Sequence, residues 1–136
     1  IGPFGKEIVL HCTGSPAQIR TLLSEQLGLL VKQEGLEPHQ IAVLFENSNF
    51  LQEVIAERDK IISIPIKPAG EREHGNFVVD TIRRFKGLEA PIVILLLNNP
   101  GSEIEELLYV GITRAQSLLI LAGPAYLMDE VKLSGD

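Results

Sequence analysis

Short apolar runs and helical stripes alternate along the 136 residues of this chain. Glu7-Ile-Val-Leu-His-Cys12 is an apolar run, and Ser15-Pro16-Ala17-Gln18 after it has the form of a capping box with proline at the first helical position. A strand is thus predicted to run straight into a helix. In that helix Ile19, Leu22, Leu23, Leu27, Leu30 and Val31 recur at three- and four-residue steps as far as Gly35, which suits a left-handed helix end. Ile41-Ala-Val-Leu-Phe45 is too uniformly apolar for a strand with one wet face and predicts a parallel strand covered on both sides. Asn47-Ser48 opens a second helix with Phe50, Leu51, Val54 and Ile55 as its stripe, and Ile61-Ile-Ser-Ile64 predicts a third strand. From Lys67 to Asn76 the chain turns polar, with Pro68, Gly70 and Gly75, which predicts a surface loop flanked by strands.

The last third repeats the alternation. Phe77-Val-Val-Asp80 and Ile92-Val-Ile-Leu-Leu-Leu97 read as strands, Glu103 to about Ala115 as a helix, and Leu118-Leu-Ile-Leu121 as a final strand. Ser102 and Glu105 have the spacing of a second capping box. Strands alternating with helices at short spacing predict an α/β domain with a mostly parallel sheet and helices on both faces. No repeat or linker interrupts the pattern, so residues 1–136 are expected to form a single unit.

Composition narrows the classes. With 45% hydrophobic residues the chain can bury a real core. The single cysteine, Cys12, cannot form an intramolecular disulfide and is expected to be a small buried apolar residue. His11, His39 and His74 are scattered without zinc-ligand spacing, so no metal site is expected and the three histidines read as unspecialised. The longest apolar run, Ile92–Leu97, falls far short of the ~20 residues a bilayer needs, and no charged-then-apolar leader opens the chain. A cytoplasmic protein with no membrane partner is the expectation. The chain opens at Ile1 without an initiator, which suggests a piece of a longer polypeptide. A formal net charge of −6 argues against binding phosphate through overall charge and directs attention to local clusters.

Two segments carry such clusters, and both are expected at the carboxyl ends of strands, where open parallel sheets place their working residues. In Asp80-Thr-Ile-Arg-Arg-Phe-Lys-Gly-Leu-Glu89 a tight turn accounts for Gly87 but not for Arg83, Arg84 and Lys86. Backbone N–H groups near a glycine, beside several cations, make an anion site. In Glu106-Leu-Leu-Tyr-Val-Gly-Ile-Thr-Arg-Ala115 the last helical turn holds Thr113 and Arg114. An arginine there has a structural use, since it complements the helix dipole by ~0.3–1 kcal/mol. Gly111 is less easily explained, because a mid-helix glycine costs ~1 kcal/mol against alanine and points to a close backbone approach.

Thr81-Ile-Arg-Arg-Phe-Lys-Gly-Leu-Glu89 followed by one apolar strand, and Leu107-Leu-Tyr-Val-Gly-Ile-Thr-Arg-Ala115 followed by another, resemble the two late motifs of superfamily 1 helicases of the UvrD, Rep and PcrA type. Ile41-Ala-Val-Leu-Phe-Glu-Asn-Ser-Asn49 resembles the strand-to-helix step that precedes them, so the likeness runs from about Ile41 to Gly123 and more weakly over the first strand and helix. The resemblance implies a three-layer RecA-like (P-loop NTPase-like) domain, the second motor domain of an ATP-dependent DNA helicase or translocase. Such a domain closes on ATP and Mg2+ held mainly by the amino-terminal motor domain of the same polypeptide, and steps along single-stranded DNA.

Carried over residue by residue, Arg114 would be the catalytic arginine that reaches the γ-phosphate. A guanidinium can spread charge over several phosphoryl oxygens, and such fingers are worth ~10³–10⁵ in rate. Glu89 would accept a hydrogen bond from the ribose, Gly87 would let the backbone approach the nucleotide, and Lys86 matches the family beside them. Thr81 and Arg83 would face the DNA, Arg83 standing where the family has histidine and offering phosphate an equally good donor. Tyr109 and Thr113, four apart on one helical face, would pack behind Arg114 and position it.

The chain has no Gly-x-x-x-x-Gly-Lys-Ser/Thr phosphate loop and no acidic strand end for magnesium, so it is expected not to hydrolyse ATP alone. Larger relatives carry a helical subdomain about where residues 65–77 lie. Here only the loop Lys67–Asn76 occupies that place, the insertion being either absent by nature or removed. The rival from another class is a non-catalytic α/β interaction module that keeps a degenerate helicase-like fold. A phosphate-loop kinase is disfavoured because Cys12-Thr-Gly-Ser-Pro16 after the first strand lacks the lysine.

Overall fold

The fully apolar runs need cover on both faces, and the architecture supplies it. The computed structural model describes residues 7–134. In chain order its elements are strand β1 (Glu7–Cys12), helix α1 (Pro16–Gly28), strand β2 (Ile41–Phe45), helix α2 (Ser48–Ile55), strands β3 (Lys60–Ile61), β4 (Ile64–Lys67), β5 (Phe77–Thr81) and β6 (Ala90–Leu96), helix α3 (Ile104–Arg114), strand β7 (Ala115–Gly123) and helix α4 (Ala125–Ser134). The sheet order is β1-β7-β6-β2-β5-β4-β3, and every neighbouring pair is parallel except the antiparallel β3 and β4.

Because side chains alternate across a strand, β2 and β6 each feed two apolar layers. Ile41, Val43 and Phe45 of β2, with Ile92, Ile94 and Leu96 of β6, join Ile19, Leu23 and Leu27 of α1 and Phe50 and Val54 of α2 on one face. Ala42 and Leu44, with Val93, Leu95 and Leu97, join Ile104 of α3, Leu127 and Met128 of α4, and Ile82 and Phe85 on the other. The expected three-layer arrangement with helices on both faces is therefore present. Helix α4 was not anticipated, its apolar signal being only a few residues long. No helix among the described residues is long and apolar enough to cross a membrane.

Several local expectations were adjusted by the fold. Ser15 caps α1 by accepting the Gln18 N–H at 3.2 Å, while the Gln18 side chain accepts from the Gly14 N–H, so the box closes one residue early. The helical path continues as a π-turn over Leu29–Gln33, and Gly35 then takes a left-handed φ of +73°. Ser102 and Glu105 form no capping box: a 3-10 turn over Gly101–Glu103 leads into α3, whose cap makes no side-chain hydrogen bond. The single strand expected at 61–64 is a hairpin, with Ile62 and Ser63 at φ of +46° and +67° in its turn. Cys12 is exposed rather than buried, since it ends β1, an edge strand with only β7 beside it.

The segment read as a surface loop is anchored rather than free. Lys67 belongs to β4, residues Ala69–Glu71 form a 3-10 turn, and Ala69 and Asn76 are buried. The Asn76 side chain donates to the Phe77 carbonyl at 2.9 Å and accepts from the Glu73 N–H at 3.1 Å, which ties the loop's end to the start of β5.

Gly111 has the reason its position suggested. A Cβ there would lie 2.8 Å from Leu95 Cδ2 and within 3.8 Å of both Leu119 methyl groups, so its absence lets α3 sit down on β6 and β7. Gly111→Val is expected to lower the unfolding free energy by about 1–3 kcal/mol through overpacking, read from the denaturant midpoint. Unchanged stability would mean that the contact between α3 and the sheet is slack.

Candidate functional site

Strands β5 and β6 flank β2 on opposite sides and run parallel, so residues 82–89 must cross over β2 from the end of one to the start of the other. Such crossovers usually take a dozen or more residues and a helix. Here a succession of tight turns does it. Ile82 N–H donates to the Phe45 carbonyl at 3.0 Å, Lys86 N–H to Arg83 at 3.2 Å and Leu88 N–H to Phe85 at 3.0 Å. Ile82 and Phe85 are buried on the face of Ala42 and Leu44, which leaves Arg83, Arg84 and Lys86 facing outward. Gly87 has φ of +83°, so the turn itself requires glycine. A Cβ there would meet nothing within 4 Å, so within this domain conformation, not crowding, demands it.

Helix α3 descends beside this crossover, and Arg114 at its end meets it. A cleft of about 260 Å³ is lined by Arg83 and Lys86 from the crossover, Arg114, Glu103 and Glu106 from α3 and the turn before it, and Glu46 after β2. The ion pairs among the described residues involve Glu37 with His39 and His74, and Asp80 with Arg84, so the three cations of the cleft are unpaired at that range. Arg114 Nε is buried and has no hydrogen-bond partner.

Not every candidate lies at a strand's carboxyl end, as was expected. Asp80 and Thr81 close β5, but Glu89 directly precedes β6 and Arg114 directly precedes β7, at the amino ends, where Ala90 pairs with Ala115. The chain reverses direction along both the crossover and α3, which carries those residues to the opposite edge of the sheet. A bulge marks that edge, because Pro91 faces both Gln116 and Ser117 in the shifted register and has no N–H to offer a ladder.

The other candidates sort by contact. Thr81 is only 7% exposed, and its hydroxyl accepts the Arg84 N–H at 3.3 Å, so it shapes the turn. Arg84 Nη1 lies 3.8 Å from Asp80 Oδ1, which gives that cation a structural partner. Buried Asp80 in turn accepts from the N–H groups of Ala69 at 2.9 Å and Thr81 at 2.7 Å. Glu89 is exposed and does not line the cleft with Lys86. Tyr109 is 63% exposed, so it does not pack behind Arg114 as expected, and Thr113 donates its hydroxyl to the Val110 carbonyl at 2.9 Å.

Two functional neighbours escaped the sequence reading. Arg72 donates through Nη1 to the Glu89 carbonyl at 2.8 Å and through Nε and Nη2 to the His39 carbonyl at 3.2 and 3.0 Å, with its guanidinium 5.9 Å from the Phe85 ring. Nothing in a polar loop announces partners so far away in sequence. Glu46 accepts from the N–H groups of Asn98 at 2.9 Å and Asn99 at 3.1 Å, which fixes the chain leaving β6. A carboxylate directly after a fully buried strand was the available signal for it.

The mostly parallel sheet with helices on both faces, and the cleft between crossover and α3, define a three-layer α/β domain. Residues 76–122 match the family of the UvrD-like helicase C-terminal domain, and that span contains every candidate site residue. Among solved structures, the C-terminal domain of a possible DNA helicase from Lactobacillus plantarum WCFS1 has the same fold, with a TM-score of 0.61 at 17% identity over 88% of this chain and 74% of that one. Comparison with curated protein sequences gives no match.

Asp80 is the keystone beneath the crossover. Asp80→Ala is expected to cost about 1–3 kcal/mol in chemical denaturation, since it leaves two N–H donors without their acceptor. A stability within error of the parent's would show that water or a neighbour replaces the carboxylate.

Proposed function

We propose that this chain is the second motor domain of an ATP-dependent DNA helicase, acting on ATP and Mg2+ held mainly by an amino-terminal motor domain of the same polypeptide. The observation that carries the reading is the cleft itself: Arg114, with a buried and unpartnered Nε, opens into the same space as Lys86 and Arg83. An arginine so placed keeps its donors for an outside anion. Its position at the end of α3, held by the close seat of Gly111 on the sheet, limits the reorganisation it needs when the nucleotide arrives.

In this reading Arg114 stabilises charge on the transferring γ-phosphoryl group, and Lys86 adds a second cation to the same surface. Gly87 holds the turn that leads to Glu89, whose carboxylate accepts from the ribose while its carbonyl is tied by Arg72. Arg83 supplies the phosphate contact of the single-stranded DNA track, with Thr81 setting the turn that presents it. The carboxylates Glu46, Glu103 and Glu106 keep the open cleft from being strongly cationic, so an anion is favoured only when the partner domain brings phosphate and metal together.

In the full-length protein Arg114→Ala is expected to lower the single-stranded-DNA-stimulated ATPase rate by roughly 10³-fold while nucleotide binding largely survives. Parental turnover in that variant would refute the role. Glu89→Ala is expected to weaken nucleotide binding or relax ribose selectivity in equilibrium titration, and unchanged affinity and selectivity would remove that assignment. If the parent sequence has no phosphate loop on the amino-terminal side, the motor reading falls and the interaction module takes its place.

A further inference from the structure

Outside the cleft, two loops bring together Glu37, His39 and His74, although the two histidines are far apart in the sequence. The first two lie just before β2, the third just before β5. Glu37 Oε2 is 3.3 Å from His39 Nδ1 and 3.5 Å from His74 Nδ1, and the imidazole centroids are 4.1 Å apart at 46°. One ligand atom from each residue lies within 4.8 Å of the others. His39 Nδ1 is buried and makes no hydrogen bond, and the Glu37 carboxylate 3.3 Å away is the one group it faces among the ion pairs of the described residues.

These distances match a metal's demands. Zinc holds imidazole nitrogen at about 2.0–2.1 Å and carboxylate oxygen at about 2.0–2.2 Å in a tetrahedron, which puts neighbouring donors roughly 3.4 Å apart. Both edges from Glu37 already have that length. The third closes by rotation of His74, whose side chain is 85% exposed and free to turn. Two imidazoles and one carboxylate with an open fourth position is a donor set that zinc-class ions accept.

We propose that Glu37, His39 and His74 form a binding site for a divalent ion of the zinc class, with water in the fourth position. The ion ties the loop before β2 to the loop before β5. Arg72 stands between the same two segments and already joins the His39 carbonyl to the Glu89 carbonyl, so the ion stiffens the backbone that carries Glu89. The site stands apart from the ATP cleft and does not depend on the motor reading.

The test is titration calorimetry of the untagged chain with Zn2+ in a Cys12→Ser background, which removes the exposed thiol as a competing ligand, with Co2+ absorption as a second readout. One ion per chain is expected, with His74→Ala and Glu37→Gln each weakening it by about tenfold or more and His11→Ala leaving it unchanged. Both altered side chains are exposed, so the variants are expected to match the parent's unfolding midpoint without metal, and Zn2+ should raise that midpoint only in the parent. The absence of saturable binding, equal affinity in His74→Ala, or loss confined to His11→Ala would overturn the proposal.

Discussion

The burial of Ile82 and Phe85 against the face of β2 is the constraint on which the site depends. Strand β2 packs against α1 and α2 on one face, and on the other Ala42 and Leu44 share their apolar cluster with Ile82 and Phe85 of the segment that crosses it. Eight residues must both span that face and bury two side chains in it. At the spacing of a tight turn only positions three apart can point inward together, which turns Arg83, Arg84 and Lys86 outward as a consequence. The cations are thus displayed by packing, and full burial of Phe85 supplies about 1.5–3 kcal/mol toward holding them there.

The rest of the site is arranged around that crossover. Asp80 holds its start to the turn at Ala69, and Arg72 holds its end at Glu89 while lying near the Phe85 ring. Residues 68–76 are therefore a brace for the crossover, although they look like a spare loop in the sequence. Helix α3 provides the opposite wall, and the missing Cβ of Gly111 sets how closely that wall stands. One glycine adjusts a helix on the sheet and another, Gly87, turns the chain toward Glu89, so the two motifs meet through backbone geometry more than through side-chain contact.

Much of this was legible beforehand. The strands β2 and β6 and the helices α1, α2 and α3 follow from apolar spacing, because a parallel strand buried on both faces and a one-faced helix leave different patterns. The hairpin of β3 and β4 was not, since Ile62 and Ser63 take positive φ without glycine or asparagine to signal it. Of the candidate residues, Arg83, Lys86 and Arg114 do share one cleft, while Glu89 lies beyond it and Thr81 beneath it. The location of Glu89 and Arg114 at the amino ends of β6 and β7 was not readable, because it depends on the direction in which the crossover and α3 run back along the sheet.

By itself the sequence determined the class of fold and the presence of two charged motifs, since both are written in local spacing and in side chains within a few positions of one another. Tertiary structure alone decided which of those charges meet. It left Arg114 unpaired, made Arg72 a brace for Glu89, and joined Glu37 and His39 to His74. Contacts between distant segments arise only when a sheet fixes the order of its strands, and strand order is a property of the packed whole that no local pattern contains.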